Sequence, residues 1–129
     1  MHKLNPRTAA LLSAFGWAVG YLLAGKALAV LLPVPPGGAA RFFRVCLLAP
    51  LAEEGVFRGA VQRRAQPLGR GQAILLQAVL FAVQHRGPAG MAYALVCGLV
   101  LGTIRSRTGS VWPGMLLHTL NNLLVFAAG

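Results

Sequence analysis

The sequence predicts an all-α fold, a polytopic transmembrane helix bundle of about five spans. Three observations carry this. Of 129 residues, 57% are hydrophobic and only 11% charged, and the mean hydropathy is +0.67. A soluble domain carries about 25% charged residues, so water cannot solvate this surface and lipid is the expected solvent. The apolar residues fall into runs separated by turns rich in Pro, Gly and Arg. The basic residues lie mostly between those runs and give a net charge of +10. No aromatic and basic patch reads as a nucleic-acid groove. The charge is read instead as the positive-inside bias of a membrane protein, with attraction to the lipid bilayer and its anionic headgroups.

Residues 1–129 are expected to form a single membrane-embedded domain. A span needs about 20 apolar residues, and the candidates are residues 8–32, 40–64, 72–86, 90–105 and 111–127. The first follows Lys3 and Arg7, and "ALA" at 27–29 gives it the look of a signal peptide. Its apolar run from Thr8 to Gly25 is longer than an h-region of about 7–15 residues, so it is read as a helix that stays. Lys26 interrupts it, with a stem long enough to snorkel or to face the bundle. "PVPPGG" (33–38) breaks the first span, and "RRAQPLGRG" (63–71) is a basic loop. "RGPAG" (86–90) ends the third span and "RSRTGS" (105–110) follows the fourth. These two spans are short, which calls for little tilt, local thinning or burial inside the bundle. Pro113 falls in the first turn of the last helix, where its missing N–H is harmless.

Alternating the spans places Lys3, Arg7, Arg63, Arg64, Arg70, Arg105 and Arg107 on one side, against Arg41, Arg44 and Arg86 on the other. The N-terminus is therefore expected in the cytoplasm and the C-terminus outside. Gly55/Gly59 and Gly98/Gly102 have the spacing that lets membrane helices approach closely. Cys46 and Cys97 sit in apolar runs and read as buried thiols. Trp17, Tyr21, Tyr93 and Trp112 read as packing or interface anchors, and His2 as a solvated terminal residue.

A charge at the bilayer centre costs about 2.5–3.5 kcal/mol on insertion scales, so ionisable residues inside spans are functional candidates. Glu53 and Glu54 are the only acids in the chain, adjacent in an apolar run. Glu54 and Arg58 stand i, i+4 with the acid first, the favourable order for an ion pair that orients helices. Phe81 and His85 are i, i+4 on the next helix, and His118 and Asn122 on the last. Asn121 reads as a packing or interhelical hydrogen-bond residue. At 1.5 Å per residue from the cytoplasmic ends, Glu53, His85, His118 and Asn122 lie about 17, 20, 11 and 17 Å deep. Three helices can bring two carboxylates, two imidazoles and an amide to one level. A carboxylate with a neighbouring imidazole can hold a water and take its proton. An imidazole N–H and an amide N–H can stabilise the oxyanion that follows. The set fits peptide-bond hydrolysis without serine or cysteine. Glu53, His85 and His118 could also ligate zinc, although H-E-x-x-H is absent.

The motifs E-E-x-x-x-R, F-x-x-x-H and H-x-x-x-N, present as "EEGVFR" (53–58), "FAVQH" (81–85) and "HTLNN" (118–122), resemble those of the CPBP intramembrane proteases. This is the CaaX-protease and bacteriocin-processing, or Abi, family. "TGSVWPGMLLH" (108–118) is similar to the family's lead-in to its last motif, and the resemblance covers about residues 40–127. It implies a protease in which Glu53 activates water, His85 assists it, and His118 and Asn122 stabilise the oxyanion. Glu54, Arg58 and Phe81 then have supporting roles. The family is described both as metalloproteases and as metal-free glutamate-type proteases. The metal-free form is favoured, with no cofactor, because zinc would consume the oxyanion pair as ligands. The implied partner is a protein or peptide substrate, lipidated or membrane-anchored. Prenylated CaaX proteins, peptide leaders, bacteriocins and sorting tails all fit. Family members commonly have more spans, so a short core favours a homo-oligomer or a partner membrane protein. The alternative function is a non-catalytic membrane scaffold or an ion or proton conductor that uses the same polar cluster.

Overall fold

The computed structural model describes residues 4–129. The positive charge counted at Lys3 and the solvated His2 lie outside the described residues. Among the described residues every regular element is a helix, with no strand.

Helix α1 (Pro6–Leu31) starts on Asn5, whose side chain accepts the Arg7 backbone N–H at 2.9 Å, and Pro6 fills the first helical position. It ends before the Pro-rich turn. Its buried face is a narrow stripe of Ala10, Ala14 and Ala18, one turn apart and small enough to let α1 lie close on its neighbour. The large side chains face outward: Leu12 is 60% exposed and Leu23 61%.

Helix α2 spans residues 38–64 and changes pitch along its length. It begins as an α-helix over Gly38–Phe43 and widens to π turns over Arg44–Leu48. It returns to α over Ala49–Glu53, widens again over Glu54–Val61 and closes with Gln62–Arg64. In the wide turns a backbone N–H reaches five residues back, Ala49 to Arg44 and Gln62 to Phe57. Pro50 follows the first wide segment; having no N–H, it leaves a carbonyl in the preceding turn without its helical donor. Glu53 and Glu54 stand where the second widening begins.

A 3-10 turn (Gln66–Leu68) and Gly69, at φ +112°, lead into helix α3 (Arg70–Ala82). Beyond Ala82 the chain turns over residues 83–86, and Gly87, at φ +70°, leads with Pro88 into the next helix. Helix α4 (Gly87–Thr108) ends on Gly109 in the left-handed conformation, whose N–H returns to the Arg105 carbonyl at 3.0 Å. Helix α5 (Trp112–Ala127) carries Pro113 in its first turn.

The five expected helices are present in the expected order. By length and composition, α1 and α4 are long enough and apolar enough to cross a membrane. The fourth helix is longer than residues 90–105, because Gly87 and Pro88 start it instead of ending its predecessor. The third is correspondingly shorter, so His85 is not on a helix but in the turn three residues beyond Ala82.

Helices α3 and α4 form a tight hairpin. A Cβ on Gly98 would fall 2.9 Å from the Ala78 Cα, so here the glycine is required by the approach of two backbones. Gln77, wholly buried, donates to the carbonyls of Gly98 at 2.7 Å and Ile74 at 2.9 Å. Gln62 donates to the Gly102 carbonyl at 2.9 Å. The Gly98/Gly102 spacing thus works as expected. The Gly55/Gly59 spacing does not: Gly55 faces open space, and a Cβ on Gly59 would meet nothing nearer than 3.7 Å. The core joins Ala14 and Ala18 of α1, Phe57 and Val61 of α2, Phe81 and Ala82 of α3 and Ala94 of α4.

Candidate active site

The site is built on α2. Glu54 is wholly buried, as is Arg58 one turn on, and Arg58 Nη1 lies 3.2 Å from Glu54 Oε1. Its other oxygen, Oε2, sits against Gly114 of α5, where a Cβ would come within 2.8 Å. Glycine at 114 is therefore what lets α5 close over the carboxylate. His118, one turn further along α5, places Nδ1 2.9 Å from Glu54 Oε1. Its Nε2 points at Glu53 Oε2, 3.5 Å away. A carboxylate ionised against Arg58 only accepts, so His118 Nδ1 carries the proton of that bond. The imidazole thus bridges the two acids. The sequence separates Glu53 from Glu54 by about 100° around the helix and gives Glu54 to Arg58; the structure gives it to Arg58 and His118 together.

Glu53 is the more open acid, 19% exposed. Its Oε1 accepts the hydroxyl of Tyr21 at 3.3 Å. Tyr21, Lys26, Glu53, Phe57, Phe81 and His85 line a cleft of about 300 Å³. His85 Nδ1 faces the Phe81 carbonyl at 3.0 Å. A carbonyl only accepts, so Nδ1 carries the hydrogen and Nε2 keeps a free lone pair. The i, i+4 link expected of a helix therefore survives in the turn as a side-chain bond to the helix end. Phe81 packs the cluster together. Its ring centre lies 4.7 Å from that of His85 and 5.8 Å from that of His118. The Arg58 guanidinium stands 4.5 Å above it.

Asn122, one turn beyond His118 on the same face of α5, reaches an earlier part of α2. Its Nδ2 donates to the Val45 carbonyl at 2.9 Å. Val45 lies in the first wide turn, and its partner five residues on is Pro50, which has no N–H to give. The amide of α5 thus takes a carbonyl that the helix leaves free. One amide hydrogen of Asn122 remains. Asn121 donates to Asn122 Oδ1 at 3.4 Å and accepts from the Tyr93 hydroxyl, an interhelical hydrogen bond of the expected kind.

Cys46 is buried and Cys97 half-buried, both free. Among the described residues no three His, Cys, Asp or Glu side chains converge as metal ligands. Glu53 and His118 meet, while His85 is held through Nδ1 by its own helix end and keeps Nε2 open.

A family model described as type II CAAX prenyl endopeptidase Rce1-like matches residues 35–124. The chain belongs to this family. No curated protein and no solved structure gives a match. Membership in the CAAX prenyl endopeptidase family implies a protease, embedded in a membrane, with a protein or peptide substrate there. The matched segment holds Glu53, Glu54, Arg58, Phe81, His85, His118 and Asn122, and it excludes α1. Tyr21 and Lys26 therefore reach the cleft from outside the part this endopeptidase family defines. Sequence reasoning left both out of the site. The available signal was a hydroxyl and an ammonium in an apolar run, each in need of a polar partner. The same signal marks Gln62 and Gln77.

Proposed function

We propose that the chain is a metal-free, glutamate-type intramembrane endopeptidase, a single domain over 1–129 with its catalytic core in 40–127. The observation that carries this reading is the meeting of Glu53, His85 and Tyr21 in one cleft, with His118 between the acids. A water between Glu53 and the free His85 Nε2 loses its proton to Glu53 as its oxygen adds to the scissile carbonyl. The oxyanion is taken up by His118, which in its doubly protonated form offers Nε2–H there and Nδ1–H to Glu54, and by the free amide hydrogen of Asn122. Glu53 then passes the proton to the leaving amine. Glu54, Arg58 and Phe81 hold His118 and His85 in place.

The bundle is read as crossing the bilayer five times, N-terminus in the cytoplasm. Large aliphatic side chains exposed along α1 and α5, such as Leu31 at 75% and Leu124 at 68%, support a lipid-facing exterior. Helix α3, with 13 residues, is about 20 Å long against a hydrocarbon core of about 30 Å. That length ends it, and His85 with it, inside the membrane. The family description favours a substrate whose lipidated C-terminal segment enters the cleft from the bilayer. A conductor needs no cleft walled by an acid, an imidazole and a hydroxyl, whereas Glu53, His85 and Tyr21 meet in one.

The test is cleavage of a prenylated C-terminal peptide by the protein in liposomes. Glu53→Gln and His85→Ala are each expected to lower turnover by about 10²–10⁴-fold with helix content and insertion unchanged, and a chelator to have no effect. Cleavage surviving both substitutions would falsify the mechanism. Chelator inhibition reversed by zinc would overturn its metal-free character.

A further inference from the structure

A second cleft, of about 240 Å³, opens between the end of α2 and the end of α4. It is lined by Arg58, Gln62, Arg63, Gln66, Arg105 and Ser106. The first, second and fourth of these stand i, i+4 and i+8 along one face running off the end of α2. Arg58 is 0% exposed, and only its Nη1 lies within ion-pair reach of Glu54, at 3.2 Å. Its Nε, Nη1 and Nη2 are all buried without a hydrogen-bond partner, and so is Nε of Arg105. Gln62, also buried, donates to α4 but leaves Oε1 without a donor.

Three guanidinium groups converge on this cleft, and the chain cannot neutralise them. It has 12 basic and 2 acidic residues. Both acids are engaged at the other site, Glu54 with Arg58 and His118, Glu53 with Tyr21 and His118. The C-terminal end of α4 supplies some partial negative charge for Arg105. It supplies none for the inner edge of Arg58, and buried donors without acceptors are costly. The missing counterion has to come from outside. Planar N–H forks suit a phosphate, which accepts from several at once. The Gln62 acceptor suits a hydroxyl beside it. The basic turns flanking the cleft lie where anionic headgroups collect on the orientation read from the charge pattern.

We propose that this cleft binds a phosphate group, from an anionic phospholipid headgroup or from free phosphate, through Arg58, Arg63 and Arg105. Arg58 then joins two sites: one edge holds Glu54 and through it His118, the other holds the anion. Occupancy fixes the guanidinium from the side opposite the acids. The binding step does not depend on the proteolytic reading.

Thermal unfolding of the full chain in neutral detergent micelles, followed by tryptophan fluorescence, tests it. Short-chain phosphatidylglycerol or inorganic phosphate, at constant ionic strength against chloride, is expected to raise Tm by roughly 3–6 °C. The Arg63→Gln/Arg105→Gln double variant is expected to lose that rise. A rise with phosphatidylglycerol alone identifies the headgroup; an equal rise with inorganic phosphate identifies free phosphate. No rise with either overturns the proposal, as does a rise that persists in the double variant. Should the double variant fail to fold, Arg63→Gln alone, at an exposed position, is expected to halve the rise or more, and an unchanged rise overturns the proposal.

Discussion

Tyr21 is the residue whose part in the site the sequence concealed most completely. A tyrosine in an apolar run reads as an interface anchor, because nothing local says where its hydroxyl points. The bond to Glu53 spans residues 21 and 53 and exists only once α1 packs on α2. A hydrogen bond to a charged group is worth about 1.5–3 kcal/mol. At 3.3 Å this one belongs at or below the lower end, so Tyr21→Phe is expected to cut kcat by roughly 3–10-fold. Steady-state kinetics should show KM little changed and Tm nearly so. The acids and histidines were legible for the opposite reason: a charge in an apolar run is costly wherever it ends up. Which acid does what was only half legible. Arg58→Met leaves Glu54 buried with His118 as its one remaining partner. Breaking such a pair costs about 3–5 kcal/mol, and denaturation of the variant should show it. The Glu54→Gln/Arg58→Met double variant should recover part of the loss, and a double variant no more stable than Arg58→Met would refute the pairing.

At the scale of helices, two identical glycine spacings had different fates. Gly98 lies against the backbone of Ala78, and Gly55 faces open space. Gly98→Ala must push α3 from α4 and is expected to destabilise by about 1–3 kcal/mol. Gly55→Ala is expected to stay within about 0.5 kcal/mol or to gain slightly from better helix propensity. Melting curves of the two variants decide this, and equal Tm losses would count against the packing described. Spacing alone could not separate the pairs, because it fixes only which helix face the glycines share and not what lies across from it. The end of α3 was misplaced for a similar reason. "RGPAG" reads as a stop, but Gly87 and Pro88 serve as the start of α4, leaving His85 in the turn.

For the whole molecule, the number and order of helices could be read from where apolar runs meet Pro, Gly and Arg. Their reach across a bilayer could not, since among the described residues α1 and α4 alone pass on length and composition. Labelling settles the arrangement. With Cys46 and Cys97 replaced by serine, a cysteine at Gln66 is expected to react with an impermeant maleimide only from the cytoplasmic side. One at Ala128 is expected to react only from outside. Both reacting from one side would mean an even number of crossings between them and would sink the five-span reading. Helix α1 also changes how the family match is understood. The matched segment carries every motif residue, yet α1 supplies Tyr21 and Lys26 to the wall of the cleft beside Glu53.

The wide turns of α2 act as a phase shifter. A π turn is the trace of a residue accommodated without breaking the helix, and everything beyond it is rotated relative to a regular α-helix. The two acids stand where the second wide segment begins and Gln62 just past its far end. The angle between the bond of Gln62 to Gly102 and the bonds of the acids to His118 is therefore set by that segment. Wound at α pitch throughout, the same residues would swing the basic end by roughly 100° relative to the acids. Gln62 would turn away from the Gly102 carbonyl, while the hydropathy profile of the chain would not change. The fault would be one of angle, hidden from any measure of composition.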